Sequence, residues 1–350
     1  MKIKSLLSSL LVLFIIAAAI VAYDYQQFIQ SPLNVETDKP VLLDVRSGRS
    51  IKSIANELAS KNITSRPNYL AWMARINGQA KLIQAGEYVI DSGMTPEQFL
   101  NILVSGKVRQ YSFTIIEGWS VSQVLDAVSS NDNIKHLIGT ASATELMAKL
   151  DQPDVLHAEG WLFPDTYYFV RGESDINILL RAHNAMKQNL EQAWKNREKG
   201  LPYKTAYEAL IMASIIEKET GKVEERQEIA GVFVRRLRKG MRLQTDPTVI
   251  YGIGEKYDGN IRRSDLRRDT PYNTYTRSGL PPTPIAMPGR AAIEAALHPA
   301  KGNSLYFVAK GDGSHVFSST LKQHNEAVIK YQLKGRRKAF SSFSGSENKK

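Results

Sequence analysis

The stretch Ala206 to Gly252, AYEALIMASIIEKETGKVEERQEIAGVFVRRLRKGMRLQTDPTVIYG, decides how the rest of the chain is read. Its first half predicts a helix that is apolar on nearly every side, with Leu210, Ile211, Met212, Ala213, Ile215 and Ile216 in close succession. A helix of that kind belongs in a core. It nevertheless ends in two acids, Glu217 and Glu219, followed by Thr220 and by Gly221, the expected C-cap. Acids in a last turn oppose the helix dipole and cost stability. At about 100° per residue they lie roughly 200° apart, on opposite faces. Glu219 follows the bulky face of Met212, Ile215 and Ile216, and Glu217 the smaller face of Leu210, Ala213 and Ser214. If the bulky face lines a cleft, Glu219 is the desolvated acid, and desolvation and the negative helix end both raise a carboxyl pKa. A carboxylic acid kept protonated near neutral pH suits general-acid cleavage of a glycoside. The helix alone leaves open the plainer reading, two solvated acids at a helix end.

The neighbouring segments narrow the choice. LQTDPTVIYG (Leu243 to Gly252), YNTYTRSGLPPTPIAMPG (Tyr272 to Gly289), GWLFPDTYYF (Gly160 to Phe169) and YFVAKGDGSHVFSSTLKQHN (Tyr306 to Asn325) are long, ordered motifs. With IIEKET they make the chain resemble the endolytic murein transglycosylases, the YceG-like family, from the N-terminal apolar segment to about Leu333. The resemblance implies an α+β fold with an N-terminal transmembrane helix, a small LysM-like α+β module and a larger mixed α+β catalytic domain. It implies a lytic transglycosylase that cuts nascent peptidoglycan strands internally and so ends their elongation, at the outer face of the inner membrane. Peptidoglycan synthases would be natural neighbours. Glu219 would protonate the oxygen between N-acetylmuramic acid and N-acetylglucosamine, then accept the proton of the muramic C6 hydroxyl as that hydroxyl closes on C1, leaving a 1,6-anhydro end. Glu217 would be a helper or a structural acid.

Sugar sites combine planar side chains that stack on rings with amides and acids that hold hydroxyl and acetamido groups. Gln244, Thr245, Asp246 and Tyr251 in the first motif, and Tyr272, Asn273 and Tyr275 in the second, supply that mixture and are the expected substrate-binding set together with Glu217. Two other classes stay open at this point. One is a hydrolytic muramidase in which Asp246 or another acid activates water, and the other is a non-catalytic glycan-binding scaffold whose acids are structural.

Composition is that of a globular chain: 43% hydrophobic, 23% charged, 350 residues, enough for one large or two modest domains. The net charge of +11 suits an anionic membrane surface or an acidic polymer, and no nucleic-acid motif is present. The absence of cysteine excludes disulfides, thiolate metal sites and a cysteine nucleophile. There is no HExxH, P-loop or GxSxG, and the six histidines do not fall at ligand spacing, so no cofactor or metal is expected. His315 and His324 read as fold residues.

In chain order, Ser5 to Tyr23 is an uncharged run of 19 residues, close to the length that crosses a bilayer core. Lys2 and Lys4 before it and Asp24 after it place the N-terminus in the cytoplasm and the remainder in the periplasm. A cleaved signal peptide is the rival, with Ala17-Ala18-Ala19 as small residues, but the apolar run outlasts an ordinary h-region. Residues 1–23 are thus read as the anchor and 24–40 as a polar stalk. Residues 41–107 form the LysM-like module, read as strand, helix, helix, strand. Residues 108–333 form the catalytic domain, and 334–350 a disordered basic tail. Arg235, Arg236 and Arg238 are expected on a solvated face or against an anionic glycan peptide.

Overall fold

A computed structural model describes residues 2–155 and 157–333, and the tail expected at 334–350 lies outside them. The chain divides into two compact units, one built from Met1–Ser112 with Tyr168–Glu173, the other from the remainder.

The first unit begins with α1 (Lys2–Gln30), whose portion Leu7–Gln30 is long and apolar enough to cross a membrane. Then follow β1 (Val41–Val45), α2 (Ile51–Ser60), α3 (Pro67–Ile76), β2 (Gly86–Ile90) and α4 (Pro96–Ser105). The starts are written locally. The Ser50 hydroxyl accepts from the Ser53 amide, Pro67 occupies the first turn of α3, and Thr95 and Gln98 form a reciprocal capping box. β1 and β2 pair antiparallel, Val41 opposite Ile90 and Val45 opposite Gly86. Leu43, Ile54, Leu58, Leu70, Tyr88 and Phe99 fill the core. The strand, helix, helix, strand order is therefore present. The expected stalk is different: α1 continues to Gln30, Phe28 and Leu33 are buried in this same core, and the Leu33 amide donates to Met94 O at 2.8 Å. Residues 24–40 carry just enough apolar surface to be drawn into the unit.

β3 (Gln110–Thr114) and, after α5 (Val121–Ser129) and α6 (Ala143–Lys149), β4 (Thr166–Val170) pair with each other, and the division between the units falls inside both strands. The second unit continues with α7 (Asp175–Lys195), α8 (Ala206–Glu219), α9 (Val223–Arg238), α10 (Asp246–Ile253), α11 (Arg263–Arg267), α12 (Arg290–Leu297), β5 (Tyr306–Ala309), β6 (His315–Ser318) and α13 (Leu321–Tyr331). The all-apolar helix is the centre. Every residue of α8 from Ala209 to Ile216 is buried, packed against α7, α9 and α12. The alanines of α12 (Ala292, Ala295 and Ala296) are buried in the same core. Phe233 meets Phe307 of the antiparallel β5–β6 hairpin edge to face at 5.7 Å. The whole is a mixed α+β fold in which short antiparallel strand pairs accompany helical packing.

The arginine run is only partly a solvated face: Arg236 is buried, Arg235 half-buried and Arg238 exposed. Arg235 donates to Ala300 O (2.8 Å) and Ser304 O (2.7 Å), Arg236 to Leu305 O (2.6 Å) and Leu243 O (2.7 Å), and Arg238 to Gly200 O (2.8 Å). Loop carbonyls without ladder partners need donors, and these guanidinium groups supply them.

Candidate active site

The site forms where α8 stops. Gly221 does not cap it. Thr220 does, in extended conformation (φ −147°), and its hydroxyl accepts from the Lys222 amide at 3.0 Å. The chain thus leaves α8 straight, with the last-turn acids exposed to different surroundings on the two sides.

On one side, Glu219 is half-buried and receives the Thr245 hydroxyl on Oε1. Thr245 occupies the N-cap position of α10, where a hydroxyl ordinarily accepts from a first-turn amide, yet it makes no such bond. Its hydroxyl serves Glu219 instead. Thr245 is itself fixed by Thr274 and Thr248: its amide donates to Thr274 Oγ1 (3.1 Å), the Thr248 hydroxyl donates to Thr245 O (2.8 Å), and the Thr248 and Thr274 hydroxyls lie 2.9 Å apart. Gln244 before it sits in the left-handed region (φ 54°), a strained setting for a non-glycine residue. Its amide donates to Thr274 O at 3.2 Å and its Oε1 accepts from Arg236 at 3.4 Å. Asp246 is exposed and accepts from the Tyr275 hydroxyl at 2.6 Å. Burial pushes the Glu219 carboxyl up to about 7; the Thr245 bond opposes the rise, the Asp246 charge adds to it, and Arg236 opposes it.

On the other side, Glu217 is enclosed. Arg226 donates to its Oε1 at 2.8 Å and the Gly289 amide to its Oε2 at 2.9 Å. Arg226 also reaches Glu117 at 3.4 Å. Burial raises the Glu217 pKa, with the Gly289 amide and Arg226 working against it. A Cβ at position 289 would lie 1.8 Å from Glu117 Oε1, so any larger residue would displace that half-exposed side chain.

A third acid escaped the sequence reading. Glu159 is 2% exposed, accepts from the Val121 amide (3.1 Å) and the Tyr251 hydroxyl (3.0 Å), and is pushed by burial up to about 7. Tyr251 stands edge to face with Tyr272 at 4.8 Å, and the Tyr272 hydroxyl meets Thr283 at 2.9 Å. Its signal lay in Glu159-Gly160-Trp161, an acid directly before an aromatic run. Arg226, seven residues after Glu219 in an amphipathic helix, was missed as well.

The predicted set therefore separates. Gln244, Thr245, Asp246 and Tyr275 gather beside Glu219, while Tyr251 and Tyr272 gather with Glu159. Three members spend their polar groups on partners within the chain. Both Glu217 oxygens are taken by Arg226 and Gly289. Thr245 is 2% exposed and points at Glu219. Asn273 is 1% exposed, and its amide nitrogen donates to the carbonyls of Asp265, Leu266 and Arg268 while its oxygen accepts from the Tyr275 amide, so it shapes a loop. Among the described residues no group of three or more His, Cys, Asp or Glu is placed to hold a metal ion.

Two acids are poised near neutral pH, and exposure tells them apart. Glu159 is 2% exposed, whereas Glu219 as a residue is half-buried. The arrangement at Glu219 can hold a proton at neutral pH, release it, and take one back.

Comparison with known proteins places the chain in a family. The family model described as the YceG-like family matches residues 43–330. An endolytic murein transglycosylase of Bacillus subtilis is 33% identical over 333 residues, covering 89% of this chain and 90% of that protein. One from Streptococcus pneumoniae is 27% identical over 365 residues, covering 94% of this chain and 65% of that longer protein. The 2.6 Å crystal structure of a yceG-like protein from Listeria monocytogenes superimposes with a TM-score of 0.52 at 29% identity, over 83% of this chain and 99% of that one. With a poised acid closing its central helix and the family match running through both units, the chain belongs to the YceG-like family.

Proposed function

We propose that the protein is an endolytic murein transglycosylase and that Glu219 is its acid and base. The observation that carries this reading is the buried Glu219 carboxyl, pushed to about 7 and held by the Thr245 hydroxyl at the end of α8. Protonated Glu219 donates to the glycosidic oxygen as its bond to the muramic C1 breaks, and the N-acetylglucosamine hydroxyl departs. The resulting carboxylate takes the proton of the C6 hydroxyl, and O6 bonds to C1. No atom of water enters, and Glu219 ends protonated as it began. One acid suffices because the nucleophile is part of the substrate, and good intramolecular geometry is worth effective molarities on the order of 10⁵ M or more. Asp246 and Tyr275 are available to the sugar beside the acid, and Gln244 sets the loop that brings them there.

Under this reading α1 is an uncleaved anchor with Lys2 and Lys4 on the cytoplasmic side, and the rest of the first unit and the second unit lie in the periplasm, where nascent strands and their synthases are. The strand, helix, helix, strand unit is a LysM-like module placed to meet the glycan. The deciding experiment is the end group released by the purified full chain from uncrosslinked glycan strands, with chelator present. We expect 1,6-anhydro-N-acetylmuramic ends. Predominantly reducing ends would assign a muramidase, with exposed Asp246 the acid to activate water; binding without turnover would assign a scaffold.

A further inference from the structure

The first unit keeps a large apolar surface that its own core does not use. On α3, Leu70, Ala71, Met73 and Ala74 are buried, while Trp72 is 47% and Ile76 76% exposed, and Leu82 just beyond is 58% exposed. These residues are not scattered. Trp72 and Ile76, with Tyr69, form one wall of an apolar groove whose other wall is α1, through Phe14, Ala18 and Val21.

The direction of α3 gives this groove its meaning. Its start is pinned to the end of the apolar run: the Tyr69 hydroxyl donates to Asp24 Oδ2 at 3.0 Å, Arg66 pairs with Asp24, and Tyr25 meets Tyr69 edge to face at 5.6 Å. From there α3 runs back along α1 toward Phe14. Seven residues separate Tyr69 from Ile76, or roughly 10 Å of helix. The exposed end of α3 therefore lies alongside residues of α1 that precede Asp24, not beyond it. The joint is firm, because α1 continues without a break into the core through Phe28.

Charge agrees with apolarity. From Leu58 to Gly86 the chain has no acid, while Lys61, Arg66, Arg75 and Lys81 are basic. Arg75 and Lys81 are exposed and flank Ile76 and Leu82. A tryptophan, two aliphatic side chains and bases without acids are the composition of surfaces that settle at a bilayer boundary, about 5–10 Å into the headgroup and acyl region.

We propose that this end of α3, Trp72 and Ile76 with Leu82 beyond, seats in the headgroup–acyl boundary of the bilayer that α1 crosses, with Arg75 and Lys81 on anionic headgroups. The proposal rests on reading α1 as an anchor. It makes the first unit a membrane-docked collar and not a body on a free tether.

The chain lacks cysteine, so single-cysteine variants of the full protein report directly. Ile76→Cys and, on the exposed face of α2, Lys52→Cys carry a nitroxide in lipid nanodiscs containing phosphatidylglycerol. We expect the label at 76 to be open to oxygen, which concentrates in lipid, and shielded from a water-soluble nickel chelate, with the reverse at 52. Arg75→Glu with Lys81→Glu should return the label at 76 toward the aqueous pattern. A label at 76 as open to nickel as that at 52 overturns the docking. So does shielding from both reagents accompanied by dipolar broadening between chains, which means a second copy covers the face. Retention through an alkaline carbonate wash is scored separately. A chain washed off the membrane defeats the anchor reading, whereas a retained chain with an aqueous label at 76 leaves the anchor standing and defeats only the docking.

Discussion

The two sides of the C-terminal end of α8 hold acids two residues apart, in pockets of opposite construction. Around Glu217 the partners are charged and complete: a guanidinium on one oxygen, a backbone amide on the other, and 5% side-chain exposure for both Arg226 and Glu217. Around Glu219 the side-chain hydrogen bond comes from a neutral hydroxyl, on one carboxylate oxygen. Burial raises both carboxyls, but only the first has a guanidinium bonded to it to favour its charged form. Helix phase puts the acids on different sides, and under the proposed function the neighbours on each side leave Glu217 to the fold and Glu219 to the chemistry.

The sharpest test of that division is the pair of amides. Glu219→Gln should lower turnover by about 10² to 10⁴, the usual worth of a general acid, while the melting temperature is kept. Glu217→Gln should retain more activity per folded molecule. End-group release measured beside thermal unfolding checks both, and an inactive, well-folded Glu217→Gln with an active Glu219→Gln would invert the assignment.

Arg226→Met should break the closed side. It leaves Glu217 buried without its cation, a loss of about 3–5 kcal/mol in stability by denaturant unfolding. Adding Glu217→Leu should recover much of it, because a buried pair replaced whole by apolar groups is often neutral. Failure of that rescue would mean that Arg226 acts through Glu117 more than through Glu217.

Glu159 extends the comparison to an acid that is 2% exposed. The folded state holds its proton more tightly than the unfolded chain, so its stabilisation is full below about pH 4.5 and drains as pH rises toward 7. Glu159→Gln should flatten that decline, gaining at most about 3 kcal/mol at pH 8 and little at pH 4. Chemical denaturation at the two pH values measures it, and an equal effect at both would place the acid's role in hydrogen bonding to Tyr251 alone.

The smallest effect is expected from Thr245→Val. Its hydroxyl opposes the rise of the Glu219 pKa, so removing it moves the alkaline fall of activity to higher pH, with a rate change of less than about tenfold, one hydrogen bond's worth. Activity of the parent should fall as pH rises through about 7, and the displacement is read against that curve.

Much of this was written in local sequence. Ser50, Pro67 and Thr95 mark helix starts through caps that need only three following residues, and the all-apolar run of α8 can be nothing but core. The phase argument at Glu217 and Glu219 is equally local. What escaped depends on partners far along the chain. Arg235 and Arg236 serve carbonyls 65 to 69 residues away, and Glu159 meets Tyr251 across 92. A run of bases looks solvated until the carbonyls it satisfies are known. α10 was missed for another reason: Pro247 reads as a turn former, yet proline also fits a helix's first turn, and the Thr245 hydroxyl that would have announced the cap is used elsewhere.

Gly289 carries a consequence for what a substitution there would report. Its amide holds Glu217, and the space a Cβ would need is occupied by the Glu117 carboxyl. Glu117 is a flexible side chain, 48% exposed, so alanine at 289 would displace it from its place beside Arg226 and leave the backbone where it is. A methyl group added at one position is thus felt as a loosened ion pair at another, 172 residues away in the sequence.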